Sequence, residues 1–391
     1  MFRLFISLVS FTLLIACQTV SSKLKEAELI SQSVSDQFIQ DSREDLYKIH
    51  FKTSGKSLIA FGETTNSEAR RSLLSQLRNL TLPIEDSIKI LPDPSLGENT
   101  WGLVTVSVCN IRTGPAQSAE MTTQAILGTP VRILKKSGSW LFIQTPDRYL
   151  GWVDDDAIQQ TDTSMMLTWQ KGKRFIYLPL IGAGADPVTK EAVTDLVAGS
   201  ILKLDTISKT EALLQMPDGR KLTVPSNDGM DFDLWKKQTE ANLFSLSSTA
   251  RSLTGRPYLW GGTSSKGVDC SGFVKTVYFL NGIILARDAS LQFRHGQFTD
   301  PQKGYNALKP GDLVFFGRQA KGNKPARATH VGMYLGNGDY INSSGYVKIN
   351  SFSPDQKTYA KFREGMWLGG RTILGSEGEK GIVRVKDHPW Y

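Results

Sequence analysis

The sequence predicts an α+β protein: a helical N-terminal region, then two small all-β barrels, then a mixed C-terminal domain. Three observations lead there. Ile30, Val34 and Phe38 recur at helical spacing near the N-terminus. From Trp101 onward, short alternating runs are separated by Gly, Pro, Asp and Ser. After residue 239 a Gly-rich turn leads a Cys into a helical pattern, and two β-rich runs follow, joined by Gly336-Asn337-Gly338.

Taken in order, Met1 to Cys17 reads as a targeting segment. Arg3 supplies a positive start, Leu4 to Ile15 an apolar run, and Leu14-Ile15-Ala16-Cys17 matches the bacterial lipoprotein signal, in which the Cys is acylated. The run falls short of the roughly 20 apolar residues needed to span a bilayer. Gln18 follows instead of the Asp that retains lipoproteins in the inner membrane. The expectation is therefore a cell-envelope protein, anchored through lipidated Cys17 to the outer membrane and facing the periplasm, in a Gram-negative cell.

With 391 residues there is room for about two to four domains. Lipidation of Cys17 leaves Cys109 and Cys270 as free thiols, too few for a disulfide scaffold. A bond between those two would silence any nucleophile. The net charge of +8 is diffuse, and no nucleic-acid motif accompanies it. No Cys/His/Asp cluster has metal-ligand spacing, so neither metal nor cofactor is expected. The chain is expected to act as a monomer.

Residues 18–100 form the helical region and linker. One helix is expected over Glu26–Gln40. A second follows the capping pattern Thr65-Asn66-Ser67-Glu68, ahead of Leu73, Leu74 and Leu77. Leu91-Pro92-Asp93-Pro94 reads as linker. Alternation at Val104, Val106 and Val108, at Val131 and Ile133, and at Leu141 and Ile143 predicts a small barrel over 101–160. A diverged second copy is expected over 171–233. Residues 239–375 make the mixed domain, and 376–391 a charged, Gly-rich tail expected on the surface. His295 and His388 have no partner pattern and are expected there too.

In the mixed domain, Asp269-Cys270-Ser271-Gly272-Phe273 places a thiol at a helix start. There the unpaired N–H groups and helix dipole should lower its pKa; a buried structural Cys is the plain alternative. The Gly-Asn-Gly hairpin sets His330 on one strand and Asn342 on its neighbour. Cys, His and Asn so placed are what a cysteine peptidase requires: the His takes the thiol proton and the Asn carbonyl holds the ring tautomer.

The phrases YLWGG, DCSGF, LKPGDLVFF and THVGMYLGNGDYINSSG, in that order, resemble the NlpC family of papain-like cell-wall peptidases. NIRTGP, ILGTPVRIL and SGSWLFIQTPDRYLGWV resemble a bacterial SH3-like domain. The combination looks like the γ-D-glutamyl-L-diamino acid endopeptidases of dipeptidyl-peptidase VI type. The resemblance implies Cys270 as nucleophile, His330 as base, Asn342 as third residue and Tyr258 facing the oxyanion. The third position is most often His in this family, and here it is Asn.

The same resemblance implies a murein stem peptide, L-Ala-γ-D-Glu-diamino acid, as substrate, cut before the diamino acid when the L-Ala amine is free. It implies substrate contacts from Glu120, Tyr149, Trp260, Asp269 and Ser271, the ammonium falling to Glu120, Tyr149 and Asp269. Asp288 and Ser290 become candidates for the polar groups of D-Glu or the diamino acid. Glu120 as a solvated charge, Tyr149 as a core aromatic, and Asp288 and Ser290 as an ordinary N-cap are the alternatives. Endopeptidase action on intact murein, a non-catalytic murein-binding lipoprotein, and an acyltransferase or thioesterase are the other functions open to the sequence.

Overall fold

The computed structural model describes residues 22–391, so the expected signal and Cys17 lie outside the described residues. Two compact units divide after Gly97. In the first, α1 covers residues 22–38 and buries Ala27 and Val34, the latter on the apolar face read from the sequence. The second helix, α2 (Ser67–Leu77), starts one residue later than the capping pattern suggests. Asn66 rather than Thr65 is its cap, accepting from the Ala69 N–H at 2.9 Å.

Besides the two expected helices, this unit holds a three-stranded sheet. Strands β1 (Tyr47–Ser54) and β2 (Ser57–Thr64) are antiparallel, and β2 runs parallel to β3 (Ile84–Ile90). A parallel pair needs a crossover, and α2 supplies it. Tyr47, Ile49 and Phe51 alternate along β1 and pack against Leu58, Leu73 and Leu77.

The second unit begins with two all-β domains. Strands β4 to β10, from Trp101–Val104 to Ile158–Thr161, form one seven-stranded antiparallel sheet. Helix α3 (Thr163–Lys171) leads to β11 to β17, from Arg174–Tyr177 to Gly229–Asp231, a second antiparallel set of seven. Cys109 lies in the first and is fully buried. The two domains touch through their backbones, the Ile201 N–H donating to the Leu127 carbonyl at 3.0 Å.

Helices α4 (Phe232–Gln238) and α5 (Leu243–Ser252) lead into the mixed domain, with short strands β18 (Thr263–Ser264) and β19 (Gly267–Val268) ahead of α6 (Cys270–Phe279). Then come β20 (Ile283–Leu285), α7 (Ala289–Gln292) and a six-stranded antiparallel sheet. Its members are β21 (Gln297–Thr299), β22 (Leu313–Arg318), β23 (Arg327–Gly336), β24 (Asp339–Ser344), β25 (Tyr346–Ser351) and β26 (Trp367–Thr372), in the order β21-β26-β22-β23-β24-β25. Phe273, Val274 and Val277 of α6 pack on Phe315, Val331, Met333 and Ile341 of the sheet. The β23–β24 turn places Asn337 and Gly338 at φ +53° and +83°, the two positive values a tight hairpin requires.

The tail departs from the surface placement expected of it. Residues Ile382–Arg384 form β27, which pairs with β20, and Ile382 and Val385 are buried. Beyond them, His388 Nε2 donates to the Pro146 carbonyl at 3.0 Å, Trp390 meets Trp101 edge-on, and Tyr391 packs against Phe232 and Phe279. Apolar residues interleaved with the charges carry the segment inward. His295 is likewise half-buried, its ring where a side chain on Gly381 would otherwise lie.

Candidate active site

The thiol is presented by the start of α6. Asp269 caps the helix, its Oδ1 accepting from the Gly272 N–H at 2.7 Å, which places Cys270 on the first turn. The glycines have a steric reason. A Cβ on Gly272 would lie 1.9 Å from the Gly262 carbonyl oxygen, and Gly261, at φ +78°, would put one 2.7 Å from the Met121 carbonyl oxygen. The segment Tyr258–Gly262 is thereby held against both α6 and the first β-domain.

His330 stands on β23 and Asn342 on β24, with His330 Nε2 and Asn342 Oδ1 2.8 Å apart. The Asn342 amide nitrogen donates to Asn350 Oδ1 at 2.9 Å and to the Lys348 carbonyl at 3.3 Å, which fixes its orientation. Its oxygen can then only accept, so Nε2 carries the proton and Nδ1 is the nitrogen able to take one. The thiol interacts with the N–H of Val331, the residue after His330. The structure thus brings Cys270, His330 and Asn342 to one place.

Electrostatics correct one expectation. Burial outweighs the helix terminus: the Cys270 thiol is pushed up to about 11, first by desolvation and then by the Asp269 charge. The N–H groups of Val331 and Ser271 and the Arg287 charge pull only partly the other way. His330 is pushed down to about 3, mainly by burial and next by Arg363, against opposing contributions from Asn342 and Asp269. The resting pair is a neutral thiol and a neutral imidazole. Among the described residues, Cys109 and Cys270 form no disulfide.

Residues implied as substrate contacts divide into two groups. Glu120 is exposed and accepts from the Trp260 Nε1–H at 2.8 Å; Trp260 is itself 61 % exposed. Tyr149 is buried, its hydroxyl donating to Asp288 Oδ2 at 3.0 Å. Asp288 precedes α7 but makes no capping bond, so its orientation answers to the first β-domain, and Ser290 lies half-buried just after it.

Asp269 and Ser271, by contrast, are engaged internally. Asp269 accepts from Arg287 with both oxygens, at 3.1 and 2.5 Å, and from the Gly261 and Gly272 N–H groups. Ser271 Oγ accepts from Arg287 Nη1 at 2.8 Å. A carboxylate so saturated has little left for a ligand's ammonium, which corrects the role expected of Asp269. Ser271 Oγ also donates to Asp269 Oδ1 at 3.2 Å and so belongs to the same network.

Two further residues enter the site: Arg287, at the head of the stretch that carries Asp288 and Ser290, and Arg363, which no motif announces. Arg287 also donates to Thr123 Oγ1 at 2.9 Å, tying α6 to the first β-domain. Arg363 arrives on a short 3-10 turn, Lys361–Arg363, far along the chain from any motif.

Comparison with known proteins agrees with this geometry. A family model described as the NlpC/P60 family matches residues 255–368, and one described as the bacterial dipeptidyl-peptidase Sh3 domain matches 111–158. The chain is 31 % identical over 243 residues to a gamma-D-glutamyl-L-lysine dipeptidyl-peptidase of Bacillus cereus, spanning 57 % of this chain and 67 % of the relative. It is 28 % identical to dipeptidyl-peptidase 6 of Lysinibacillus sphaericus, over 66 % of this chain and 93 % of that protein. A crystal structure of an NlpC/P60 family protein from Bacillus cereus shares the fold, with a TM-score of 0.59 at 22 % identity, covering 70 % of this chain and 99 % of the other.

Proposed function

The chain belongs to the NlpC/P60 family, and we propose that it is a cysteine peptidase cutting the γ-D-Glu–diamino acid bond of murein stem peptides whose L-Ala amine is free. The observation that carries this reading is the Glu120–Trp260 pair, a carboxylate from the first β-domain seated beside the nucleophile's loop. A substrate amine continuing into glycan carries no charge for Glu120 to meet, whereas a free ammonium does. A desolvated ammonium needs such a partner.

In the reaction, Cys270 Sγ attacks the γ-carbonyl as its proton passes to His330 Nδ1. The Cys270 N–H and the Tyr258 hydroxyl face the developing oxyanion. Tyr258 is pushed up to about 12 by burial and by the nearby Cys270 and Asp269, so it remains a donor. The C–N bond breaks as the proton moves from His330 to the leaving amine. Water, activated by the same base, then releases the acyl group and restores the thiol. Asn342 supports the imidazolium without carrying charge itself.

The test is mass spectrometry of products from L-Ala-γ-D-Glu-diaminopimelate and its N-acetyl form. The free peptide should yield L-Ala-D-Glu and diaminopimelate, and Cys270→Ala protein should yield neither. A charge-paired contact to a desolvated ammonium is worth on the order of 2–5 kcal/mol. Acetylation or Glu120→Ala should therefore lower kcat/KM by roughly tens- to thousandsfold. Equal rates on both peptides would instead favour an endopeptidase on intact murein. The sequence around Cys17 further supports a lipid-anchored enzyme in the envelope.

A further inference from the structure

Arg363 is 8 % exposed, and its guanidinium lies 5.2 Å from the Phe316 ring centroid. The same Phe316 ring packs on His330, centroids 6.1 Å apart. Arg363 Nη2 reaches Ser344 Oγ at only 3.5 Å, and Ser344 follows Asn342 by two residues on β24, on the same strand face. The charge therefore sits beside the His330–Asn342 pair.

Among the described residues no carboxylate pairs with Arg363, and its buried Nε has no hydrogen-bond partner. The Phe316 and Phe362 rings that flank it compensate little of the lost hydration. Toward His330 its sign also opposes the chemistry, although it favours the Cys270 thiolate. It disfavours protonation of His330, yet His330 must carry a proton between the two halves of the reaction. An anion arriving with the substrate would remove both penalties.

Position says which part of the substrate brings it. Glu120, Tyr149 and Thr123 of the first β-domain meet Trp260, Asp288 and Arg287. The contacts of Arg363 are with Phe316, Ser344 and Phe362 of the mixed domain alone. With the free amine at the first β-domain, what lies beyond the scissile bond falls to the region that domain does not touch.

We infer that Arg363 anchors a leaving-group subsite, binding a carboxylate of the diamino acid released by cleavage. The inference rests on the peptidase reading above. The carboxylate comes from one of two sources: the α-carboxylate of a C-terminal diamino acid, or the side-chain carboxylate of diaminopimelate. Both offer Arg363 the same planar anion.

Binding to Cys270→Ala protein reads this contact without turnover. Calorimetry would compare L-Ala-γ-D-Glu-L-Lys, its α-carboxamide, and the α-carboxamide of the diaminopimelate peptide. Loss of the contact should weaken binding about ten- to a hundredfold. If the α-carboxylate is the anion, both carboxamides bind weakly. If the side-chain carboxylate is, the diaminopimelate carboxamide alone keeps full affinity. In either case Arg363→Gln, in the same background, should bind all three ligands alike.

With active enzyme, Arg363→Gln should also move the acid limb of kcat/KM to higher pH. The charge acting on His330 would then be that of Asp269. Arg363→Lys, which keeps the charge but not the fork, should restore the limb and only part of the affinity. Identical affinities for acid and carboxamides in the Arg363 protein would overturn the inference. Absence of γ-D-Glu cleavage by protein that retains both Cys270 and Arg363 would instead overturn the peptidase reading, leaving the carboxylate comparison to stand on its own data.

Discussion

His330 keeps its imidazole neutral down to about pH 3, while Cys270 keeps its proton up to about pH 11, and both values follow mainly from burial. The consequence for stability has a definite sign. Between the ordinary imidazole value, near 6.5, and about 3, the unfolded chain binds a proton that the folded chain does not. Stability contributed by neutral His330 is complete above that window and lost as pH falls through it. For Cys270 the folded chain holds the extra proton from the ordinary thiol value, 9.0, to about 11, so stability declines as pH rises there. Urea midpoints should therefore fall on both sides of neutrality, and Cys270→Ala should blunt the alkaline decline. It should not abolish it, because burial pushes the Cys109 thiol upward as well. An alkaline arm unchanged by Cys270→Ala would show that this thiol titrates normally. The position of the thiol was legible from its neighbours, but its pKa was not. A helix terminus is visible in sequence, whereas the desolvation that overrides it depends on side chains from β23 and α7.

Among the elements, α6 shows why a motif reads so clearly. Asp269, Gly272 and the Gly261-Gly262 pair are each demanded by backbone approach or capping, so their spacing survives as a pattern in one dimension. Gly272→Ala would force a methyl group to 1.9 Å from the Gly262 carbonyl oxygen, and the loop carrying Tyr258 and Trp260 would have to move. The expected cost is on the order of 3 kcal/mol in urea unfolding, with activity reduced further than stability alone would explain. A variant as stable and active as the parent would mean that the loop yields without strain. The β23–β24 hairpin was legible for a similar reason, since Asn337 and Gly338 satisfy a local backbone requirement. Strand β1 was harder. Tyr47, Ile49 and Phe51 alternate regularly with Lys48, His50 and Lys52, but a strand's place also needs its partner, here β2, and that pairing has no local signature. The turn carrying Arg363 has no local signature at all. Only the aromatic cluster of Phe316, Tyr340 and Phe352 brings it to the site.

At the scale of the whole molecule, two β-domains and the mixed domain form one compact unit, and Cys270 lies near the junction of the first β-domain with the mixed domain. Lys266 reaches both Ser107 of the first β-domain and Asp195 of the second, so the order of domains in sequence becomes a closed triangle in space. We propose that this unit is tethered to a membrane through Cys17. Globomycin, or Cys17→Ala, should shift the protein out of the membrane fraction or trap its precursor there; unchanged fractionation under both would remove the anchor.

The segment from Ile382 to Tyr391 gives the assembly a direction in time. It pairs β27 with β20, caps Trp101 and Pro146 of the first β-domain, and inserts Tyr391 between Phe232 and Phe279. Each surface it joins is encoded earlier than the segment itself. During vectorial synthesis or export the separate domains can therefore gain their own cores as they emerge. The junction between the first β-domain and the mixed domain gains its shared clasp only after all of them have appeared. A chain halted before Ile382 therefore carries Cys270, His330 and Asn342 without that clasp.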